Sequence, residues 1–227
     1  MANQNLNQRD ALSDFERREV TLRGETKLVY VAGTGPAVIV MAEMPGIYPH
    51  VARFARTVRD AGFTVWMPHL FGSDGEVPTT VGTLFTIARA CISREFRAFA
   101  ANASSPVTQW LRALAAHAHP LCGGRGVGAI GMCFTGNFAL SMMLEPAMRA
   151  PVLSQPSLPL TNSAGMHIAP DELAAVKARL ETHRAACPLW DARDLARSFE
   201  DAFEIMWDRY ARGLAAEGFE VPAQRTG

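Results

Sequence analysis

The stretch that decides the fold is Val127-Gly128-Ala129-Ile130-Gly131-Met132-Cys133-Phe134-Thr135-Gly136. Its first half is a short apolar run, which is typical of a buried strand. Its second half places a cysteine between two glycines, and a helical pattern follows. A strand, a sharp turn and a helix in this order lift the residue at the turn above the edge of a sheet. We therefore expect any chemistry in this chain to begin at Cys133.

The composition predicts one sizeable hydrophobic core. The chain has 227 residues, of which 48% are hydrophobic and 19% are charged. The net charge is zero and no run of like charges occurs, which argues against nucleic acid or an anionic membrane as a partner. The four cysteines contain no CxxC pair, and no apolar stretch approaches the roughly 20 residues of a membrane span. We expect small molecules or proteins as partners and predict neither a cofactor nor a metal site.

The start of the chain predicts its compartment. Residues 1–10 are polar and lack the apolar core of a signal peptide. We therefore expect a cytoplasmic protein with reduced thiols.

The first half of the sequence reads as a hairpin followed by a βαβ unit. Residues 19–22 and 27–31 flank a turn at Gly24 and predict two antiparallel strands. A continuous apolar run over 36–42 is typical of a strand buried on both faces. Pro49 begins a helix that ends near Gly62, and residues 63–68 form the next strand.

The second half continues the alternation of strands and helices. Residues 79–100 read as helical, and a firmer helix begins at Pro106 and runs to His117. The strand at 127–131 leads into a helix over 134–144, and residues 151–154 form one more strand. This order predicts a three-layer, doubly wound α/β fold with a mostly parallel sheet.

Three motifs in order then resemble the dienelactone hydrolase family, whose fold is an α/β-hydrolase. They are the segments 41–46 (Met-Ala-Glu-Met-Pro-Gly), 63–71 (Phe-Thr-Val-Trp-Met-Pro-His-Leu-Phe) and 131–136 (Gly-Met-Cys-Phe-Thr-Gly). The similarity covers about residues 19–175. In that family a cysteine at a nucleophile elbow attacks a lactone or ester carbonyl.

The resemblance implies roles for particular residues. Cys133 falls on the nucleophile, and Glu43 falls on the glutamate that contacts the resting thiol. The backbone N–H groups of Met44 and Phe134 fall on the oxyanion hole, which stabilises the charge that develops on the carbonyl oxygen. A cysteine suits this position because the thiolate is strongly nucleophilic and the start of a helix favours it. Thr135 stands where the family usually has glycine, and we expect the turn to tolerate it.

The rest of a catalytic triad is not evident in the sequence. This fold supplies an acid and then a histidine from loops after two later strands, and we expect this chain to lack that layout, with a C-terminally incomplete sheet. His167 and His183 are the histidines after Cys133, and Asp171 precedes His183. His183 is the candidate that remains for the catalytic histidine, although Asp171 and His183 fall in a predicted helix, where neither is well placed to reach an elbow.

Three other residues are candidates for a role near the thiol. His69 ends a strand at the sheet edge where sites gather, so it is a candidate substrate-binding residue. Arg89 is a candidate clamp for the carboxylate of an acidic lactone, by analogy with the family's substrates, although a surface salt bridge is the favoured explanation. His50, soon after Glu43, is an alternative base.

The C-terminal part differs in character. From about residue 180 the chain contains almost no strand-like runs, and a long helix is predicted to begin near Asp191. Apolar residues recur along it at three- and four-residue steps, which gives one apolar face. These residues are Leu195, Phe199, Phe203, Met206, Tyr210 and Leu214. We predict an α/β-hydrolase domain over 1–179 and a helical extension over 180–227. The last ~40 residues weakly resemble the end of glycosyltransferases of the O-linked N-acetylglucosamine type, without a nucleotide-sugar site.

Two functions follow as hypotheses. One is a cysteine hydrolase that cleaves a lactone or small ester through an acyl-thioester at Cys133. The other is a hydrolase-fold protein that lacks the triad acid and histidine and has a binding or assembly role, with homo-oligomers formed through the C-terminal helix.

Overall fold

A computed structural model of the protein describes residues 6–79, 82, 105–156, 168–184, 192–215 and 217–221. The strands in these ranges are β1 (Glu16–Leu22), β2 (Glu25–Ala32), β3 (Ala37–Met41), β4 (Thr64–Pro68), β5 (Val127–Met132) and β6 (Met148–Ser154). The helices are α1 (Pro49–Asp60), α2 (Pro106–Cys122), α3 (Gly136–Met142), α4 (Pro170–Arg184) and α5 (Ala192–Ala211). The chain divides into two compact units, residues 1–176 and 177–227.

The six strands form one sheet in the order β1-β2-β4-β3-β5-β6. Within the set β4-β3-β5-β6, each strand is parallel to the strand beside it. Strand β2 is antiparallel to both β1 and β4. The predicted hairpin and the predicted mostly parallel sheet are therefore confirmed. In the described part of the chain no strand follows β6.

Helices on the two faces of the sheet make the three predicted layers. Along β3, alternate side chains enter different cores because the side-chain period of a strand is two. Ile39 and Met41 join the core that α2 and α3 cover, around Trp110 and Phe138. Val38 and Val40 join the second core, which α1 covers with Val51, Ala52 and Ala55.

The face of β5 and β6 on the α1 side is only partly covered. Ile130 and Met132 are half-buried, and Val152 is 48% exposed. A groove of about 550 Å³ runs along this face, and apolar side chains of Val38, Val58, Phe63, Ile130 and Val152 contribute to its lining. The strand β5 is therefore buried on one face and half-open on the other.

Some element boundaries differ from the sequence prediction. The helix expected over 134–144 is a 3-10 turn at Cys133–Thr135 followed by α3, because the chain must reverse sharply after β5 before a regular helix can form. Helix α2 begins at Pro106 as predicted but continues past His117 to Cys122. The helical segment predicted over 79–100 lies, apart from Thr79 and Gly82, outside the described residues.

The C-terminal unit contains the predicted long helix as α5. Its aromatic side chains are largely exposed, at 55% for Phe199, 63% for Phe203, 69% for Trp207 and 75% for Tyr210. The resemblance of this region to glycosyltransferases stays a prediction. Among the described helices, none combines the length and the apolar character that a membrane span requires.

Candidate active site

The strand order places a crevice between β3 and β5. The connection from β3 passes through α1 on one face of the sheet, whereas β5 continues into α3 on the other face. Adjacent parallel strands with connections on opposite faces leave an opening at their carboxyl ends, where ligands bind in open α/β sheets. The last registered pair of the two strands is Met41 with Gly131. Glu43 and Cys133 each lie two residues beyond it, so the topology brings these two predicted residues to one crevice.

Cys133 occupies a strained turn at the end of β5. Its φ angle is +53°, in the left-handed region that non-glycine residues rarely adopt. The 3-10 turn Cys133–Thr135 then leads directly into α3. This strand, strained turn and helix are the geometry of a nucleophile elbow.

Gly131 makes the turn possible by its lack of a side chain. A Cβ atom there would lie 2.2 Å from the carbonyl oxygen of Thr135 and 2.8 Å from the Cα atom of Gly136. Both atoms belong to the backbone and cannot rotate away. The close return of the chain onto the end of β5 therefore requires glycine at this position.

The Cys133 thiol is half-buried and reduced. Among the described residues, no hydrogen bond reaches its Sγ atom. The resting contact between the thiol and Glu43 that the family resemblance implies is thus not made in this conformation. Cys133 itself remains partly exposed.

Glu43 is held by two other side chains. The Tyr48 hydroxyl donates a hydrogen bond to Oε1 of Glu43, and the side-chain amide of Gln155 donates to Oε2 at 3.4 Å. Burial, and then the hydrogen bond to Glu43, raise the pKa of Tyr48 far above its ordinary value. The phenol therefore stays protonated at neutral pH and remains a hydrogen-bond donor.

Gln155 reaches Glu43 from the end of β6, next to β5. Its φ angle of +42° is in the left-handed region. Backbone strain of this kind persists where the surrounding structure over-determines it, and it occurs often at functional sites. The carboxylate of Glu43 is consequently fixed between the α1 side of the crevice and the end of β6.

A cavity of about 340 Å³ adjoins Glu43 on the α1 side. Its polar lining residues are Glu43, Tyr48, His50 and Ser154, and the others are apolar. A concave site with apolar walls and a few polar groups is typical of small-molecule binding. Met132, the residue before Cys133, also lines this cavity.

The two residues predicted for the oxyanion hole flank the same crevice. Met44 lies within a turn that is closed by a hydrogen bond of 2.8 Å from the Gly46 N–H group to the carbonyl oxygen of Glu43. Phe134 directly follows Cys133, and its ring packs against Phe138 with centroids 5.3 Å apart. Both backbones belong to the loops that carry Glu43 and Cys133, and their role in an oxyanion hole stays a prediction.

His69 forms a separate cluster. Its Nδ1 atom lies 2.8 Å from Oδ1 of Asp74, and the hydroxyl of Tyr30 donates to Oδ2 of Asp74 at 2.9 Å. Burial, and then the charge of Asp74, raise the pKa of Tyr30 to about 12. His69 follows β4, and β3 lies between β4 and β5 in the sheet. Since β4 and β5 are two strand spacings apart, they are separated by about 10 Å. The cluster therefore ties the loop after β4 to strand β2 and leaves His69 at the side of the crevice.

The other candidate residues are not joined to the thiol by any described contact. His50 is exposed, and its ring lies 5.8 Å from that of Tyr48. His183 lies within α4, but its side chain is outside the described residues, as are His167 and Arg89. In the described ranges no group of three or more His, Cys, Asp or Glu residues is arranged to hold a metal ion.

Sequence reasoning missed the residues that surround Glu43 and His69. Tyr48 comes five residues after Glu43, and Asp74 comes five residues after His69. Both spacings cross a loop, so no helical or strand period marks them. Gln155 follows a parallel strand next to β5, and the rule that strand ends gather at one edge could have indicated it.

Known families and solved structures include proteins that are similar to this chain. A family model described as "Dienelactone hydrolase family" matches residues 26–167. Among solved structures, a proposed dienelactone hydrolase from Klebsiella pneumoniae subsp. pneumoniae MGH 78578 is 16% identical, with 74% of this chain and 80% of that chain covered and a TM-score of 0.48. No curated protein matches.

Two further structures match over smaller parts of their own length. The thioesterase domain from the curacin biosynthetic pathway is 13% identical, with 73% of this chain and 52% of that chain covered and a TM-score of 0.43. The 2,6-dihydroxy-pseudo-oxynicotine hydrolase is 20% identical, with 61% of this chain and 36% of that chain covered and a TM-score of 0.42.

Proposed function

We propose that this chain, which belongs to the dienelactone hydrolase family, cleaves a lactone or a small activated ester with Cys133 as its nucleophile. The observation that carries the proposal is the strained turn that presents Cys133 at the crevice between β3 and β5, where Glu43 also lies. The family is one of ester and lactone hydrolases, and the proposal is that in this chain Cys133 is the nucleophile and the substrate is a lactone or small activated ester.

The proposed reaction has two stages. Sγ of Cys133 attacks the carbonyl carbon, the carbon–oxygen bond to the leaving group breaks, and an acyl-thioester remains on the cysteine. Glu43 turns from its contacts with Tyr48 and Gln155 to receive the thiol proton, and it releases this proton to solvent after the leaving group has departed as an anion. Water then adds to the thioester carbonyl, the carbon–sulfur bond breaks, and the carboxylic acid leaves with the thiol restored. Backbone N–H groups of Met44 and Phe134 stabilise the oxyanion in both stages.

The proposed substrates are those whose leaving group needs no general acid. An alkoxide must be protonated as it leaves. An enolate or phenolate leaves without such help because it is a weak base. We therefore propose enol lactones and aryl esters as substrates. His69 and Arg89 stay candidate substrate-binding residues, and a cytoplasmic setting that keeps the thiols reduced belongs to the same proposal.

The proposal is tested by hydrolysis of p-nitrophenyl acetate and of a dienelactone by the wild type beside Cys133→Ala. We expect turnover by the wild type and its loss in the variant. Equal rates of the two proteins would overturn the assignment of the nucleophile.

Replacing Tyr48 by phenylalanine tests how Glu43 is held. The variant keeps the ring but removes the hydrogen bond to the carboxylate, and bonds to charged groups are worth about 1.5 to 3 kcal/mol. We expect kcat for p-nitrophenyl acetate to fall by about tenfold or more with little change in KM. Tyr30→Phe is the matched comparison because it removes a phenol-to-carboxylate bond at Asp74, beside His69 and not beside Glu43, so any effect of this variant is expected on KM and not on kcat. Equal losses in the two variants would contradict a specific role of Tyr48.

The exposed aromatic face of α5 favours a second function, assembly into homo-oligomers. Phe199 and Phe203 stack with ring centroids 6.4 Å apart and are both more than half exposed. Contiguous exposed apolar surface marks an interaction site. This function does not need a working thiol, so it also fits a protein without catalysis.

The double substitution Phe199→Ser and Phe203→Ser in the full chain tests assembly. We expect the wild type to elute as an oligomer in size-exclusion chromatography with light scattering, and the variant as a monomer. Glu200→Ser on the same helix is the control and should leave the mass unchanged. A monomeric wild type would rule out assembly through α5.

A further inference from the structure

We propose that the Thr135 side chain is a positioning group that fixes the Cys133 turn to the end of strand β3. The inference rests on the proposed role of Cys133 as nucleophile. The family usually has glycine at this position, and a glycine could not make the hydrogen bonds of the Thr135 hydroxyl.

The hydroxyl of Thr135 lies at the junction of two strands. It accepts a hydrogen bond from the N–H group of Met132 at 2.9 Å. The carbonyl oxygens of Met132 and Met41 lie 2.9 Å and 3.1 Å from it, and its single proton is shared between these acceptors. The side chain is fully buried, so water does not replace any of these contacts.

The strain at Cys133 explains why such a contact matters. A non-glycine residue with a φ of +53° holds this conformation only when its surroundings impose it. Thr135 is at the far end of the 3-10 turn that Cys133 begins. Its hydroxyl closes that turn onto Met132, so it fixes the chain on both sides of the nucleophile.

The contact with Met41 connects the two halves of the site. Met41 ends β3, and the next residues are Ala42, Glu43 and Met44. The hydroxyl therefore joins the turn that carries the thiol to the strand that leads to the carboxylate and to the proposed oxyanion-hole backbone. A shift of about 1 Å between such groups is enough to lower a rate by about 100-fold.

The test compares Thr135→Val, which keeps the shape and loses the hydroxyl, with Thr135→Ser, which keeps the hydroxyl. The measurements are the rate of Cys133 alkylation by iodoacetamide as a function of pH, and kcat and KM for p-nitrophenyl acetate. We expect T135V to change the pH profile of alkylation and to lower kcat by about 10- to 100-fold at little-changed KM. T135S should remain close to the wild type.

Thr108→Val provides the control for a general loss of stability. Thr108 is also fully buried, and its hydroxyl donates to the carbonyl oxygen of Ser105 at 2.8 Å, at the start of α2. We expect T108V to leave the alkylation profile unchanged. If T135V does not fold, Thr135→Ala, which cannot crowd the site, takes its place in the same comparison.

The outcomes separate this inference from the proposed function. Alkylation reports the environment of the thiol even if the wild type turns over no ester, so loss of the proposed function leaves the test intact. An alkylation profile of folded T135V or T135A that coincides with that of the wild type would overturn the inference. So would an equal change in T108V.

Discussion

Replacing Cys133 by alanine is expected to lower kcat for p-nitrophenyl acetate by a factor on the order of 10³ to 10⁵. The reason is chemical: removal of the nucleophile removes the covalent route, and only binding and the oxyanion hole then remain to accelerate hydrolysis. Stability should change little because the thiol is half-buried and, among the described residues, makes no hydrogen bond. The measurement is the initial rate over a range of ester concentrations, with the rate in buffer subtracted.

Cys122→Ala is the matched control for the loss of a thiol. Cys122 is the other reduced cysteine in the described residues, and it ends α2, before β5 begins. Its Sγ atom accepts a hydrogen bond from Nε1 of Trp66 at 3.3 Å. It therefore lies at the amino end of β5, opposite the crevice, and the variant should keep its turnover. A Cys133→Ala protein that matches Cys122→Ala in rate would contradict a covalent mechanism at the elbow.

Replacing Gly131 by alanine has the largest expected effect on the fold around the site. The added Cβ atom would come within 2.2 to 2.8 Å of backbone atoms of Thr135 and Gly136, so the turn itself must move. Overpacking of this kind costs about 1 to 3 kcal/mol, and occasionally more, and we expect the upper part of that range. Because the displaced turn carries Cys133, turnover should fall by a factor on the order of 100.

Gly128→Ala in the same strand is the control. Its Cβ atom would meet the Cγ2 atom of Val38 at 3.3 Å, and a side chain can adjust where a backbone cannot. We expect it to change the free energy of unfolding by less than about 1 kcal/mol and to leave turnover intact. Urea denaturation measures the stability of both variants, and the account fails if the two substitutions cost the same.

The nucleophile turn and the core of the sheet could be predicted from the sequence because their signals are local. The apolar run 36–42 indicates a strand buried on both faces, and β3 is buried throughout. The glycines on either side of Cys133 indicate a turn that only small residues permit. Helix starts at Pro49 and Pro106 were equally local, since proline is favoured in the first turn of a helix.

The contacts of Glu43 could not be predicted in this way. Tyr48 reaches it across a turn, and Gln155 reaches it from a strand that follows it by more than a hundred residues. Such contacts depend on sheet order and register, which hydrophobic patterns do not contain. The same reason explains His69: its place at the end of β4 was predictable, but its partner Asp74 was not. The sequence shows that threonine replaces the family's usual glycine at position 135. It does not show the hydrogen bond from the Thr135 hydroxyl to the carbonyl oxygen of Met41, because that bond depends on how close the end of β3 lies to the turn.

The most direct measurement of the central claim is the mass of the peptide that contains Cys133 after rapid acid quenching of the protein with p-nitrophenyl acetate. We expect an acetyl group on Cys133 that appears within the first turnover and is lost after the ester is exhausted, with Cys122 unmodified. Steady release of p-nitrophenol by wild-type protein without acetyl on Cys133 at any time would contradict it.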